Sequence, residues 1–143
     1  MIFEHSVTYP VPKLQKVFKF FPAFNDSIVL QVLAGVGKEA IQQYNKDGKK
    51  IFEHQFNDLI DAVSMPNEHE VLVLRPEEQN GIVYHFNLLN HSIKKFPHLF
   101  QTDVSCQCYM DFFCESNLLA IYEHGDHYQV QAHFTYYNWP LQF

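Results

Sequence analysis

The sequence predicts an α+β fold: about three N-terminal helices packed on one face of a mainly antiparallel sheet of about five strands. Two observations predict it. Residues 102–137 alternate apolar and polar side chains with period two, the mark of a sheet with one buried and one wet face. Segments before residue 64 carry apolar residues at helical spacing instead. Helices first and strands later is the order of an α+β chain. The length, 143 residues, suits one domain, 1–143, with one core.

The elements follow in order. Residues 2–9 (IFEHSVTY) are extended in character, an edge strand ended by Pro10 and Pro12. In residues 13–21, Leu14, Val17, Phe18 and Phe21 form a helical stripe opposite Lys13, Lys16 and Lys19, and Pro22 stops it. Asn25-Asp26-Ser27 reads as an N-cap. Residues 28–44 then read as the most buried helix, weakened or closely packed at Gly35 and Gly37. Residues 45–50 (NKDGKK) form a polar turn. Ile51, Phe52, Phe56, Leu59, Ile60 and Val63 make the stripe of a third helix, which ends near Pro66. Residues 70–74 and 81–90 are strands joined by a turn at 75–80. Pro97 makes residues 89–100 a short helix or loop. No internal repeat stands out.

Residues 102–114, 117–124 and 127–137 form the central meander. Gly125-Asp126 suits a two-residue hairpin loop. That loop pairs His124 with His127, Tyr122 with Gln129 and Ile121 with Val130. A short turn at Glu115-Ser116 pairs Phe112 with Leu119, Met110 with Ile121 and Tyr109 with Tyr122. Met110, Ile121, Val130 and Phe134 then share the core face. The other face is polar but rich in rings, which combine contact area with a polar tip. The candidate partner-binding residues are Asp103, Tyr109, Asp111, Tyr122, Gln129, Gln131 and His133.

Charge narrows the function. Residues 1–60 hold seven lysines and six carboxylates, or +1. Residues 61–143 hold Arg75, Lys94 and Lys95 against ten carboxylates, or −7. Nucleic acid is disfavoured as a partner, because phosphate neutralisation needs clustered cations. A basic protein is the natural complement. No leader or apolar run long enough for a bilayer is present, so a cytoplasmic location and no membrane are expected. Cys106 and Cys108, on one face of one strand, are poorly aimed at each other for a disulfide. They read as reduced core residues.

No catalytic residue, metal or cofactor is expected. Nucleophile-elbow, phosphate-loop, HExxH and CxxC patterns are absent. His124 and His127 with Glu123 and Asp126 could bind zinc, but a solvated turn tip accounts for them as well. A His/Asp pair such as Asp111 with His133 across the face could do acid–base work.

A small, acidic, aromatic-rich, leaderless chain of α+β type resembles the immunity proteins of bacterial toxin systems. The resemblance is compositional and rests on no motif. It implies a protein that docks on and neutralises a basic partner, a cognate toxin domain such as a nuclease. A second resemblance, to the nuclear-transport-factor-like cone, implies a small-molecule pocket if helices cover the face of Tyr109, Asp111, Tyr122 and His133.

Overall fold

The computed structural model describes residues 15–60, 62–77, 80–101, 107–113, 118–124 and 132–138. The described residues contain eleven strands and no helix. The chain divides into two compact units, residues 1–59 and 60–143.

The first unit holds one antiparallel meander in the order β1-β2-β3-β4. Its strands are Val17–Ala23, Ser27–Gly35, Lys38–Tyr44 and Lys50–Gln55. The second unit holds two more. Strands β5 to β8 are Ala62–Asn67, Glu70–Glu77, Asn80–Asn87 and Ser92–Gln101, hydrogen-bonded in sequence order. Strands β9 to β11 are Gln107–Phe113, Leu118–His124 and Ala132–Asn138, with β10 in the middle. Within this unit β9 lies beside β5, so the two meanders meet through their first strands.

The α+β expectation is therefore overturned: the described residues are all β. The three expected helices fail for separate reasons. Residues 28–44 are two strands, β2 and β3, because the apolar run in β2 is buried on both faces. Val29 and Val32 are 0% exposed and Leu30 4%. A strand covered on both sides reads as a continuous apolar run, which periodicity cannot tell from a buried helix. The β-branched residues Ile28, Val29 and Val32 favour the strand. The supposed N-cap is the β1–β2 turn: Asn25 and Asp26 sit at φ 54° and 57°, and Ser27 N–H donates to the Phe24 carbonyl at 3.1 Å. Two successive left-handed residues are what a tight hairpin requires, and Asn and Asp tolerate that conformation.

Residues 13–21 lose their helical stripe because Val17 and Phe18 are exposed. Residues 17–21 fall instead in β1, an edge strand of its sheet with a bulge between Val17 and Lys19, while residues 13 and 14 lie outside the described residues. Residues 51–63 are split between β4 and β5. Phe56 and Ile60 are buried in the link while Leu59 is exposed, so no single stripe runs through it.

Other expectations hold in part. The strands expected at 70–74 and 81–90 are present as β6 and β7, but residues 75–77 and 80, expected in the turn, belong to the strands, and residues 88–90, expected in the strand, are turn. The polar turn at 45–50 is present: the Asn45 side-chain oxygen accepts from Asp47 N at 3.0 Å and Lys49 N at 2.9 Å. The expectation of a short helix or loop at residues 89–100 is corrected: residues 92–101 form β8, where Pro97 is tolerated because β8 is an outer strand of its sheet. The strand suggested at residues 2–9 lies outside the described residues.

The meanders repeat one plan. Their second strands, β2, β6 and β10, carry apolar runs, broken in β2 by Gln31, and start at Ser27, Glu70 and Leu118. The spacing is roughly 45 residues, and among the described residues the first two meanders have four strands and the third has three. Each third strand ends in an aromatic residue followed by asparagine: Tyr44-Asn45, Phe86-Asn87 and Tyr137-Asn138. Asn87 repeats the turn chemistry of Asn45, its side-chain oxygen accepting from Leu89 N at 2.9 Å.

Candidate functional site

The third meander carries the residues expected to bind a partner. Asp103, Gln129 and Gln131 lie outside the described residues, as does His127 of the suggested zinc pair. Tyr109 and Asp111 are on β9, Tyr122 on β10 and His133 on β11. The β9–β10 register matches the expectation: Tyr122 pairs with Tyr109, Ile121 with Met110 and Leu119 with Phe112. Ala120 pairs with Asp111, so Tyr109, Asp111 and Tyr122 share one face of the ladder.

The β10–β11 register does not match. His124 pairs with Ala132, Tyr122 with Phe134 and Glu123 with His133. An odd-numbered shift moves a strand's residues to the opposite face. His133 therefore falls on the face of Met110 and Ile121, away from Asp111, and the acid–base pair is lost. Phe134 moves in the other direction and joins Tyr109 and Tyr122. The expected hairpin at Gly125-Asp126 rests on local turn chemistry, which suits a two-residue loop but does not fix how the strands pair; residues 125–131 lie outside the described residues.

Electrostatics favour the same meander. All three cations of residues 61–143 lie on the second meander, each beside an aromatic ring. Lys94 Nζ is 5.0 Å from the Phe96 ring centre and Lys95 Nζ 5.8 Å from that of Tyr84. Arg75 Nη1 donates to the Tyr84 hydroxyl at 3.4 Å. Residues 102–138 hold five carboxylates and no Lys or Arg.

A polar network that sequence reasoning missed occupies the first meander. The Gln42 side-chain oxygen accepts from Tyr44 OH at 2.9 Å and from Gln15 Nε2 at 3.0 Å. Gln42 Nε2 donates to Glu53. Glu53 also accepts from Lys50 Nζ at 3.1 Å and Gln55 Nε2 at 3.0 Å. On the other face, Gln31 Nε2 donates to Glu39 at 2.7 Å, with both residues buried. The signal was the run Gln42-Gln43-Tyr44, polar side chains in a strand otherwise bound for the core. Three donors converge on Glu53, so the network ties β3 to β4. Among the described residues, no cluster of three or more His, Cys, Asp or Glu could hold a metal.

Burial pushes the Glu53 carboxyl up, but hydrogen bonds from Lys50, Gln42 and Gln55 and the Lys50 charge outweigh it. The carboxyl is held below its ordinary value of 4.5. A depressed carboxyl pKa contributes stability above the unfolded value and loses it as pH falls through the folded one. Acid unfolding below about pH 4.5 should therefore be less steep in Glu53→Gln than in the parent. Denaturant midpoints measured across pH 3–6 check this, and parallel curves would remove Glu53 from the account.

No protein family and no curated protein matches the sequence. A solved structure does: the uncharacterized protein lmo1340 from Listeria monocytogenes EGD-e. The TM-score is 0.59 at 15% identity, over 93% of this chain and 40% of that one. At this identity the likeness concerns the fold alone. The chain spans well under half of that neighbour's length.

Proposed function

We propose that the chain is a protein-docking module whose third meander receives a basic protein surface. The supporting observation is the charge distribution: −7 over residues 61–143, with every cation on the second meander. By register Tyr109, Asp111 and Tyr122 fall on one face of the ladder, and two tyrosines with a carboxylate are residue types suited to anchoring and steering. A cytoplasmic location belongs to this proposal; no helix among the described residues is long and apolar enough to cross a membrane. The resemblance to immunity proteins loses its α+β element, so the proposal keeps the partner's chemistry and leaves its identity as a toxin aside. The cone reading requires helices, and the described residues contain none, so it is not carried forward.

The test is binding of the full chain to poly-L-lysine and to cytochrome c, with an acidic protein as control. Tyr109→Ala should weaken binding by about 1–2 kcal/mol, mainly through faster dissociation. Asp111→Asn should slow association at low salt and matter less at high salt. Binding that ignores both substitutions would show that this face is plain solvated surface.

A further inference from the structure

We infer that one end of the first meander, where β1 begins beside the β2–β3 turn, is a docking surface for an acidic protein that presents apolar side chains among its carboxylates. The surface lies within residues 15–59 and involves none of the residues proposed above to meet a basic partner. Three observations point to it.

The first is exposed apolar surface. On β1, Val17, Phe18 and Phe20 are 39%, 41% and 68% exposed. Val17 pairs with Val32 and Phe20 with Leu30, so by register both belong to the sheet face of the buried cluster of Leu30, Val32, Ala40 and Tyr44. They form an uncovered rim of that cluster. The bulge between Val17 and Lys19 leaves Phe18 without a register partner on β2, and bulges at sheet edges re-aim side chains. Leu33 N–H donates to the Lys16 carbonyl at 2.9 Å, so β1 starts beside the β2–β3 turn, where Val36 is fully exposed. Large apolar side chains grouped in one place, rather than scattered singly, mark an interaction site.

The second is charge. Lys16 and Lys19 lie on either side of Phe18 in sequence, Lys38 follows the turn, and all three are exposed. From residue 5 to residue 25 the chain has three lysines and no carboxylate. Among the described residues this end of the sheet also holds Glu39 and Asp58, joined by a hydrogen bond from Glu39 N–H to the Asp58 carbonyl. The Glu39 carboxylate is buried and accepts from Gln31 Nε2 at 2.7 Å, which leaves Asp58 as the exposed acid against three lysines. At the β3–β4 turn the lysines are interspersed with acids instead, and Lys50 pairs with Glu53 at 3.1 Å. An excess of cations around apolar side chains complements carboxylates around an apolar centre.

The third favours a protein over a lipid surface. Lys16 Nζ lies 5.1 Å from the Phe18 ring centre. Covering that ring with hydrocarbon would take the ammonium out of water with no counter-charge. A protein can cover the ring and pair the ammonium with a carboxylate at the same time. The bulge, the lysines and Pro22 are devices that blunt a strand edge, so the partner meets side chains rather than adding a strand.

The experiment is fluorescence anisotropy of a labelled random copolymer of L-glutamate and L-tyrosine, with poly-L-glutamate of the same length as the charge-only probe. The full chain carries −6, so a polyanion is repelled unless a local cationic surface receives it. The copolymer should bind roughly tenfold tighter than poly-L-glutamate, and salt should weaken both. Phe20→Ser should weaken copolymer binding roughly tenfold and leave poly-L-glutamate unchanged. Lys16→Glu combined with Lys19→Glu should abolish both. Ile51→Ser, at an exposed position of β4, should match the parent. Every substituted residue is exposed, so folding should persist, and circular dichroism checks it. A copolymer that does not bind, or that binds the Phe20 and lysine variants like the parent, would overturn the inference. Equal binding of the two polymers would also overturn it, since charge alone would then suffice. So would binding to vesicles of phosphatidylserine and phosphatidylcholine that Phe20→Ser abolishes while copolymer binding persists, which would assign the surface to a membrane.

Discussion

Val29→Asp and Leu30→Asp, at neighbouring positions of β2, should each unfold the first meander. The two residues stand on opposite faces: Val29 pairs with Phe21 and Gln43, and Leu30 with Phe20 and Gln42. Both are buried. A carboxylate placed at either site has no cation in its ladder positions and loses its water. An unpaired buried charge costs several kcal/mol even after relaxation. That is a large share of the roughly 5–15 kcal/mol that stabilises a typical domain. Circular dichroism and denaturant unfolding of both variants provide the check. A one-sided sheet would tolerate one of the two substitutions, so a folded, cooperative variant at either position would refute two-sided burial. Leu59→Asp is the control, since Leu59 is exposed and its replacement should change stability by no more than about 0.5 kcal/mol.

Gln42→Leu should destabilise the chain by about 1–3 kcal/mol, although leucine is more apolar and close in size. The substitution removes the acceptor of Tyr44 OH and Gln15, and one of the donors to Glu53. Tyr44 is buried, so its hydroxyl has little access to water as a replacement. Leaving buried polar groups unpaired incurs their desolvation cost, whereas removing both partners of a bond can be nearly neutral. Gln42→Leu combined with Tyr44→Phe should accordingly cost less than the two single changes added together. Gln55→Leu, which removes an exposed donor to the same carboxylate, should lie within about 0.5 kcal/mol of the parent. A double-mutant cycle in urea measures the coupling. Strict additivity would mean that the Gln42–Tyr44 hydrogen bond adds nothing to stability.

Strand propensity and local turn chemistry were legible in much of the second unit. Residues 70–74, 81–90 and 117–124 declared themselves through β-branched or aromatic content bounded by polar turns. The β9–β10 register was legible because the alternating apolar set of β9 had one sensible match on β10. The charge asymmetry belongs to the sequence outright, since it requires no coordinates. The candidate site was legible to the same extent: Tyr109, Asp111 and Tyr122 stand together because they depend on that one register.

Tertiary structure decided the rest. Whether residues 28–44 became one helix or two strands turned on what covers the second face of β2, and a local pattern carries no information about a second covering layer. Asn25-Asp26-Ser27 suits a helix cap and a hairpin turn equally, because short polar side chains that bond nearby backbone serve both. The β10–β11 pairing was a choice that local turn chemistry did not fix. That choice set His133 on the face of Met110 rather than that of Asp111, since in a sheet a single odd shift exchanges the faces. The repeat, too, became visible only with the strands in place. Its three copies share strand order, an apolar second strand and an aromatic-Asn ending, features fixed by sheet packing and turn geometry rather than by residue-for-residue likeness.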